Sequence, residues 1–341
     1  MPSRIALVVA ALVVALGLGA LVPAVGAAPA PIPVVDLHVD LSYRVNFRGG
    51  SLSTGSGQYV ASKLVNAGVS GVVLPLYVPR DVSPTGPRAV DLDDSLTHLL
   101  ALIPQTPPFR APGCADPAGG VRTWFAFEGA APLADDPDSI PRWVARGVRL
   151  FGLVHSYDNA LATSSGTSPP PTTGLTDKGR DVVQRIQRAG GILDVSHASD
   201  AATDDILALA EAAHVPVVAT HSDARALAPH PRNLSDAQIR RIAATGGVIG
   251  VNFHSRFLVA HGKATLADVV RQVDYLVHVA GIDHVAIGSD FEGDITPPRE
   301  LTDVSGFPHL AAALIAHGMS RPDVTKVFSG NALRVLCPPA G

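Results

Sequence analysis

The chain alternates short aliphatic runs with amphipathic stretches of helical period. The runs are Val34 to Asp40, Gly71 to Val78, Thr123 to Phe127, Val148 to Val154, Gly191 to Val195, Val215 to Thr220, Val248 to Asn252 and His284 to Gly288. Most are continuous Val, Ile and Leu, which suits parallel strands covered on both faces. Between them, Thr176 precedes a stretch whose Val182, Val183 and Ile186 share one helical face and which stops at Gly190 and Gly191. Ser235 and Gln238 have capping-box spacing ahead of a stretch ending at Gly246. A further helix is expected from Leu266 to Gly281, and a last one opens at Ser320 with Pro322 in its first turn. Eight strands alternating with helices predict an α/β protein of (β/α)8 type, a TIM barrel. A doubly wound open sheet would place a G-x-G-x-x-G turn after an early strand, and none follows Val34 to Asp40. Asn46 to Gln58, Asp81 to Asp94 and Thr163 to Thr176 are rich in Gly, Pro, Ser and Thr and read as loops within one domain.

The N-terminus breaks this pattern. Arg4 is followed by an uncharged apolar run, Ile5 to Leu21, and then by the small residues Val25, Ala27 and Ala28. That is the layout of a secretory signal peptide. Residues 1–28 are therefore expected to be a signal, 29–341 a single catalytic barrel, and the mature protein secreted or held in the cell envelope. The competing reading is a retained anchor, because the run approaches spanning length. No Cys follows the run and the C-terminus is not an apolar tail, so neither lipoprotein attachment nor a GPI-type signal is expected, and no membrane span after cleavage. With 47% hydrophobic and 16% charged residues among 341, the chain has a large core and is not disordered. The net charge of −4 and the lack of a basic stripe exclude nucleic acid as an expected partner. Cys114 and Cys337 have no CxxC spacing; export would permit them to pair, and sequence leaves the pairing open.

The chemistry stands at the strand ends, where the active site of such a barrel lies. In VVDLHVDLS, alternation puts Asp36, His38 and Asp40 on one face. Later strands end in Glu128, His155, His197, His221, Asn252 with His254 beyond, and Asp290 with Glu292 beyond. A lone His or Asp at such a place is usually a hydrogen-bonding or capping residue. Six of the eight strands ending this way would converge in one bowl. Imidazoles and carboxylates without thiolate suit zinc or another borderline divalent metal. Two such ions about 3.5–4 Å apart could share a hydroxide, a nucleophile for a carbonyl or phosphoryl carbon or phosphorus, with Asp290 handling its proton.

These motifs in this order resemble the membrane dipeptidase (renal dipeptidase) family of zinc peptidases, within the metal-dependent amidohydrolase superfamily. The carriers are DLHVDL, FAFEG, GVRLFGLVHSYDN, GLTDKGRDVV, ILDVSHAS, VVATHSDAR with PRNL, GVIGVNFHSRFL, AIGSDFEG and GNALRVL, spread over nearly the whole chain after the signal. The resemblance implies two Zn2+ per chain, with His38, Asp40 and Glu128 holding one ion, Glu128, His197 and His221 the other, and Glu128 bridging. It implies that His155 hydrogen-bonds the scissile carbonyl, that Arg232 clamps the substrate carboxylate, and that Asp290 is the acid/base. Residue chemistry alone would read Arg232 as a solvated residue ahead of a helix. Asp36 is expected to hydrogen-bond beside the site, and His254 and Glu292 to stand behind the site residues or at the rim. The implied activity is hydrolysis of dipeptides, including those with a C-terminal D-residue, by a metal-bridged hydroxide. The alternative is a zinc amidohydrolase or lactamase-type enzyme acting on another small amide or ester. Departures favour neither outright: Val39 replaces the family's usual Asn, GVVLPLYVP offers only Tyr77 where aromatics cluster, and His254 stands where Tyr is frequent. The family is often dimeric, so a homodimer is the partner it implies.

Overall fold

A computed structural model describes residues 31–115 and 119–338; the expected signal segment lies outside them. Nine parallel strands form the sheet: β1 Val34–Asp36, β2 Val69–Leu76, β3 Phe109–Pro112, β4 Val121–Glu128, β5 Val148–Gly152, β6 Ile192–Asp194, β7 Val217–Val218, β8 Ile249–Val251 and β9 Val285–Ile287. Eight follow the order β7-β6-β5-β4-β2-β1-β9-β8, and a parallel bridge from Ala219 to Ile249 closes the ring. This is the expected barrel. The ninth strand, β3, was not expected. It lies along the start of β4, pairing Phe109 with Val121, before β5 takes over that edge at Phe125. Four residues ending in proline leave no strand signature.

The helices begin where their caps predict. The Thr176 hydroxyl accepts from Gly179 N–H ahead of Asp177–Arg188, and Ser235 and Gln238 close a capping box ahead of Asp236–Ala244. Leu266–Ala280 stops at Gly281, and Ser320 caps Arg321–Thr325. One loop expectation fails: the helix Ala89–Leu102 starts inside Asp81 to Asp94, capped by the reciprocal Arg88–Asp91 pair. Proline and glycine upstream hid a helix whose Leu92, Leu96 and Leu99 recur at helical spacing and are buried.

Inside the barrel, Val35, Leu37, Val73, Trp124, Ala126, Leu150, Ile192 and Val218 form one apolar cluster, closed below by Ala332, Val335 and Leu336 of the last helix. Val34 and Val39 belong to the larger cluster between strands and helices. Strand alternation therefore holds through Leu37 and breaks before Val39. The first strand is shorter than expected, ending at Asp36, and Asp40 already stands at the N-cap of the helix Leu41–Phe47. At the β7–β8 seam, a Cβ on Gly250 or Gly288 would fall 1.9 or 1.7 Å from the Thr220 carbonyl oxygen. Only glycine permits that approach.

Cys114 and Cys337 are joined as a disulfide across 223 residues, with Cα atoms 5.6 Å apart. This closes the question left open by sequence. The bond lies near the start of β5, at the end of the barrel opposite the C-terminal ends of the strands. Replacing both cysteines by serine is expected to cost about 2–4 kcal/mol of stability, read as a lower thermal midpoint, with kcat unchanged.

Candidate active site

Every expected site residue comes to the C-terminal mouth of the barrel. Glu128 ends β4, and its Oε1 is the hub. The Nε2 atoms of His197, His38, His221 and His155 lie 3.0, 3.4, 3.6 and 3.8 Å from it. Asp40 Oδ2 is 3.6 Å from His38 Nε2. Three overlapping groups are compact enough to hold an ion: His38, Glu128 and His221; Glu128, His155 and His197; His38, Asp40 and Asp290. His38 and Asp40 meet because the chain turns after Leu37, rather than by strand alternation.

Two features show that this donor set fits a divalent cation. His38 Nε2 is buried without a hydrogen bond, and His197 and His221 point their Nε2 atoms at each other 3.0 Å apart. Two nitrogens on one tetrahedral zinc, each about 2.0–2.1 Å from it, would stand roughly 3.3 Å apart. Electrostatics agree. Burial pushes His155 below its ordinary pKa and His197 and His221 well below theirs, leaving the neutral rings that ligation requires. Burial opposes charge on His38 too, but Glu128, Asp40 and Asp290 lift it to about 10. Asp40 is pushed well up by burial and by Glu128, and Asp290 is raised chiefly by burial. Against its own burial, Glu128 is held well below the carboxylate range by His38, His155 and His197. Three buried carboxylates crowd one point, and positive charge there relieves them.

The backbone holds two of these residues in the left-handed region, His197 at φ 69° and Asp290 at φ 63°. Such conformations cost on the order of 1–3 kcal/mol each and persist only where neighbours fix them. Ser165 N–H donates to the His197 carbonyl, and Asp290 N–H to the His38 carbonyl. Asn252 Nδ2 donates to Asp290 Oδ2 at 2.9 Å.

Arg232 is buried, 9% exposed. Its guanidinium donates to the His221 carbonyl (3.2 Å) and the Ser222 hydroxyl (3.3 Å), its Nε has no partner, and no carboxylate pairs with it among the described residues. It shares a cavity of about 220 Å3 with Asp40, Tyr77, His155, His254 and Asp290. A second cavity of about 210 Å3 adjoins through Tyr77, Glu128 and His155. A larger one, about 670 Å3, lies beside the disulfide and has no imidazole or carboxylate in its lining.

The residues set aside by sequence divide. His254 does line the cavity. Glu292 instead accepts from Arg44 and from Tyr59 N–H, tying a loop to the β9 end. Asp36, which burial raises to about 6, accepts from His38 N–H and from Ser289 N–H, linking the ends of β1 and β9. Sequence reasoning missed Thr220, whose hydroxyl lies beside the Nδ1 atoms of His221 and His38, and Asp194, which accepts from that hydroxyl. The cue was an Asp followed by His at close spacing after two strands, in DLH and DVSH.

Comparison with known proteins gives these features a family. The family profile for membrane dipeptidase (peptidase family M19) matches residues 27–338. A protein encoded in the pqqA 5′ region of Klebsiella pneumoniae, described as uncharacterized, is 41% identical over 218 residues, 62% of this chain and 79% of the relative. The dipeptidase tcpJ of Claviceps purpurea is 34% identical over 231 residues, 67% of this chain; the match spans about half, 52%, of that protein's length. A Rhodobacter sphaeroides metallopeptidase, crystallised with a phosphinate mimic of the dipeptide L-Ala-D-Ala, superposes with a TM-score of 0.80 at 28% identity, covering 90% of this chain and 99% of that one. With a barrel of this form and a family match across almost all the described residues, the chain is a member of the membrane dipeptidase family of metallopeptidases.

Proposed function

We propose that the protein is an exported binuclear zinc dipeptidase that cleaves dipeptides, including those ending in a D-residue. The observation that carries this reading is Arg232. A buried guanidinium with only neutral acceptors is costly by several kcal/mol unless an anion reaches it. It opens onto the same small cavity as His155 and Asp290. A carboxylate one residue away from a scissile amide satisfies it, which describes the C-terminal half of a dipeptide. The adjoining cavity then takes the N-terminal residue, and two cavities of about 210 and 220 Å3 suit one residue each.

His38, Asp40 and Glu128 would hold one zinc, and Glu128, His197 and His221 the other. When bound, the pair supplies Lewis-acid polarisation of the carbonyl and lowers the pKa of water. Arg232 fixes the substrate's carboxylate and so its orientation. His155, neutral through burial, donates its ring N–H to the carbonyl oxygen as negative charge develops there. Asp290, oriented by Asn252, takes the proton from the attacking water and passes it to the leaving amine. Support for a D-residue is the L-Ala-D-Ala mimic on the Rhodobacter enzyme. Support for export is the disulfide, a bond of oxidising compartments.

The test is a metal analysis of the purified protein with an assay on L-L and L-D dipeptides, with and without chelator. Two zinc per chain and chelator-sensitive cleavage are expected. Bound zinc without dipeptide turnover would move the assignment to another small amide. Lack of tightly bound metal would end it.

A further inference from the structure

We propose that Thr220, oriented by Asp194, is a positioning residue that sets the ring tautomer of two ligands, His38 and His221, with one hydroxyl. The inference rests on the ligand roles proposed above and concerns what holds those ligands ready.

Thr220 follows β7, immediately precedes His221 and is completely buried. Asp194 ends β6 and is also buried. Its Oδ1 accepts from Ser196 N–H at 2.9 Å and Thr220 N–H at 3.0 Å, and its Oδ2 accepts from the Thr220 hydroxyl at 2.5 Å. That short distance is typical of a hydroxyl donating to a carboxylate, about 2.5–2.7 Å. A threonine hydroxyl has one proton and two lone pairs. With the proton committed to Asp194, the oxygen can only accept from what else surrounds it. His221 Nδ1 stands 2.8 Å away and His38 Nδ1 3.3 Å. Ser196 Oγ, at 3.2 Å, is itself the acceptor for His221 N–H.

A ring nitrogen facing an oxygen that can only accept must carry the proton. Both rings therefore carry Nδ1–H, and in the neutral, ligating form of each the lone pair is on Nε2, the atoms that gather at Glu128 Oε1. A neutral histidine has one such lone pair, and the hydrogen bond at the other nitrogen decides where it is. The two rings lie against each other, centroids 3.7 Å apart, which brings both Nδ1 atoms to one oxygen. The carbonyl of Thr220 is packed against Gly250 and Gly288, so the residue has little freedom to withdraw. Because His38 and His221 are assigned to different ions, one hydroxyl supports both metal positions.

Two measurements test this. Two-bond 1H–15N spectra of protein labelled at histidine, recorded with and without added zinc, read the tautomers directly and need no variant. Nδ1–H on both rings is expected in either state; an Nδ1 without a proton on either ring overturns the proposal. Chelator competition then compares variants. Thr220→Val keeps the shape and removes the acceptor, and should weaken both zinc equivalents about 10- to 100-fold, the usual cost of losing a hydrogen-bond partner behind a metal ligand. Thr220→Ser should recover most of that loss. Asp194→Asn should resemble the valine variant, since its amide would donate to Thr220 and turn the hydroxyl proton toward a ring. Loss of only one equivalent, or wild-type zinc affinity in a folded Thr220→Val, overturns the double role. If Thr220→Val does not fold, the wild-type spectra decide. Correct tautomers in a protein that binds no zinc would sustain this inference while removing the proposed function.

Discussion

Asp290→Asn is expected to lower kcat by roughly 100- to 10,000-fold while zinc content stays at the wild-type value; this is the span a positioned acid/base contributes. The substitution suits the site. Asn is among the few residues at ease with a left-handed backbone, so φ 63° is not a new burden. Its side-chain oxygen can still accept from Asn252 Nδ2, and its volume is nearly that of Asp. What it lacks is a carboxylate that can take up a proton and give it back. Metal analysis and steady-state kinetics on one preparation decide the matter. Because Asp290 also groups with His38 and Asp40, loss of zinc from the variant would reassign it to coordination. Normal turnover would remove it from the chemistry.

Arg232→Met is expected to raise KM for dipeptides by roughly 30- to 1,000-fold, about 2–4 kcal/mol, the range for stripping a buried charge of its partner in a complex. The same variant should be as stable as the parent or more so. Replacing a buried guanidinium that has no carboxylate partner by an apolar chain of similar length removes a desolvation cost and gives up two long hydrogen bonds, to the His221 carbonyl and Ser222, and the stacking over Phe257, which a methionine can partly replace. A core substitution that damages binding and spares the melting temperature is diagnostic of a residue kept for its ligand. Dipeptide amides, which lack the carboxylate, should lose little on going from parent to variant. An unchanged KM with free dipeptides would return Arg232 to a structural role.

The parts of the fold written locally were legible. Strands such as Val69–Leu76 and Val121–Glu128 are buried on both sides and read as aliphatic runs, and Thr176, Ser235 and Ser320 announce their helices within one turn. The strand-end histidines and carboxylates were legible because the barrel topology carries them to one place. What sequence hid is whatever depends on distant packing. Arg232 looks like a solvated residue until the loop folds back: Arg225 pairs with Asp200, Arg225 N–H donates to the Leu234 carbonyl, and Leu234 N–H to that of Asp223. That return path delivers Arg232 beside His221. The break of alternation after Leu37 was equally hidden, since VVDLHVDLS is a regular alternation on paper. Its cause is the helix that begins at Leu41 and the bonds that Asp36 makes to His38 and Ser289.

The disulfide divides the polypeptide topologically. Residues 114 to 337 form a covalent ring that contains Glu128, His155, His197, His221, Arg232 and Asp290. β1 and β2 lie on an open arm outside it, and that arm carries His38 and Asp40. A protease nick within the ring leaves two pieces still tethered, whereas a nick between Asp40 and Cys114 covalently severs the piece that carries His38 and Asp40. Zinc held as proposed would fasten the arm to the ring through Glu128, a second cross-link that a chelator opens while leaving the disulfide closed.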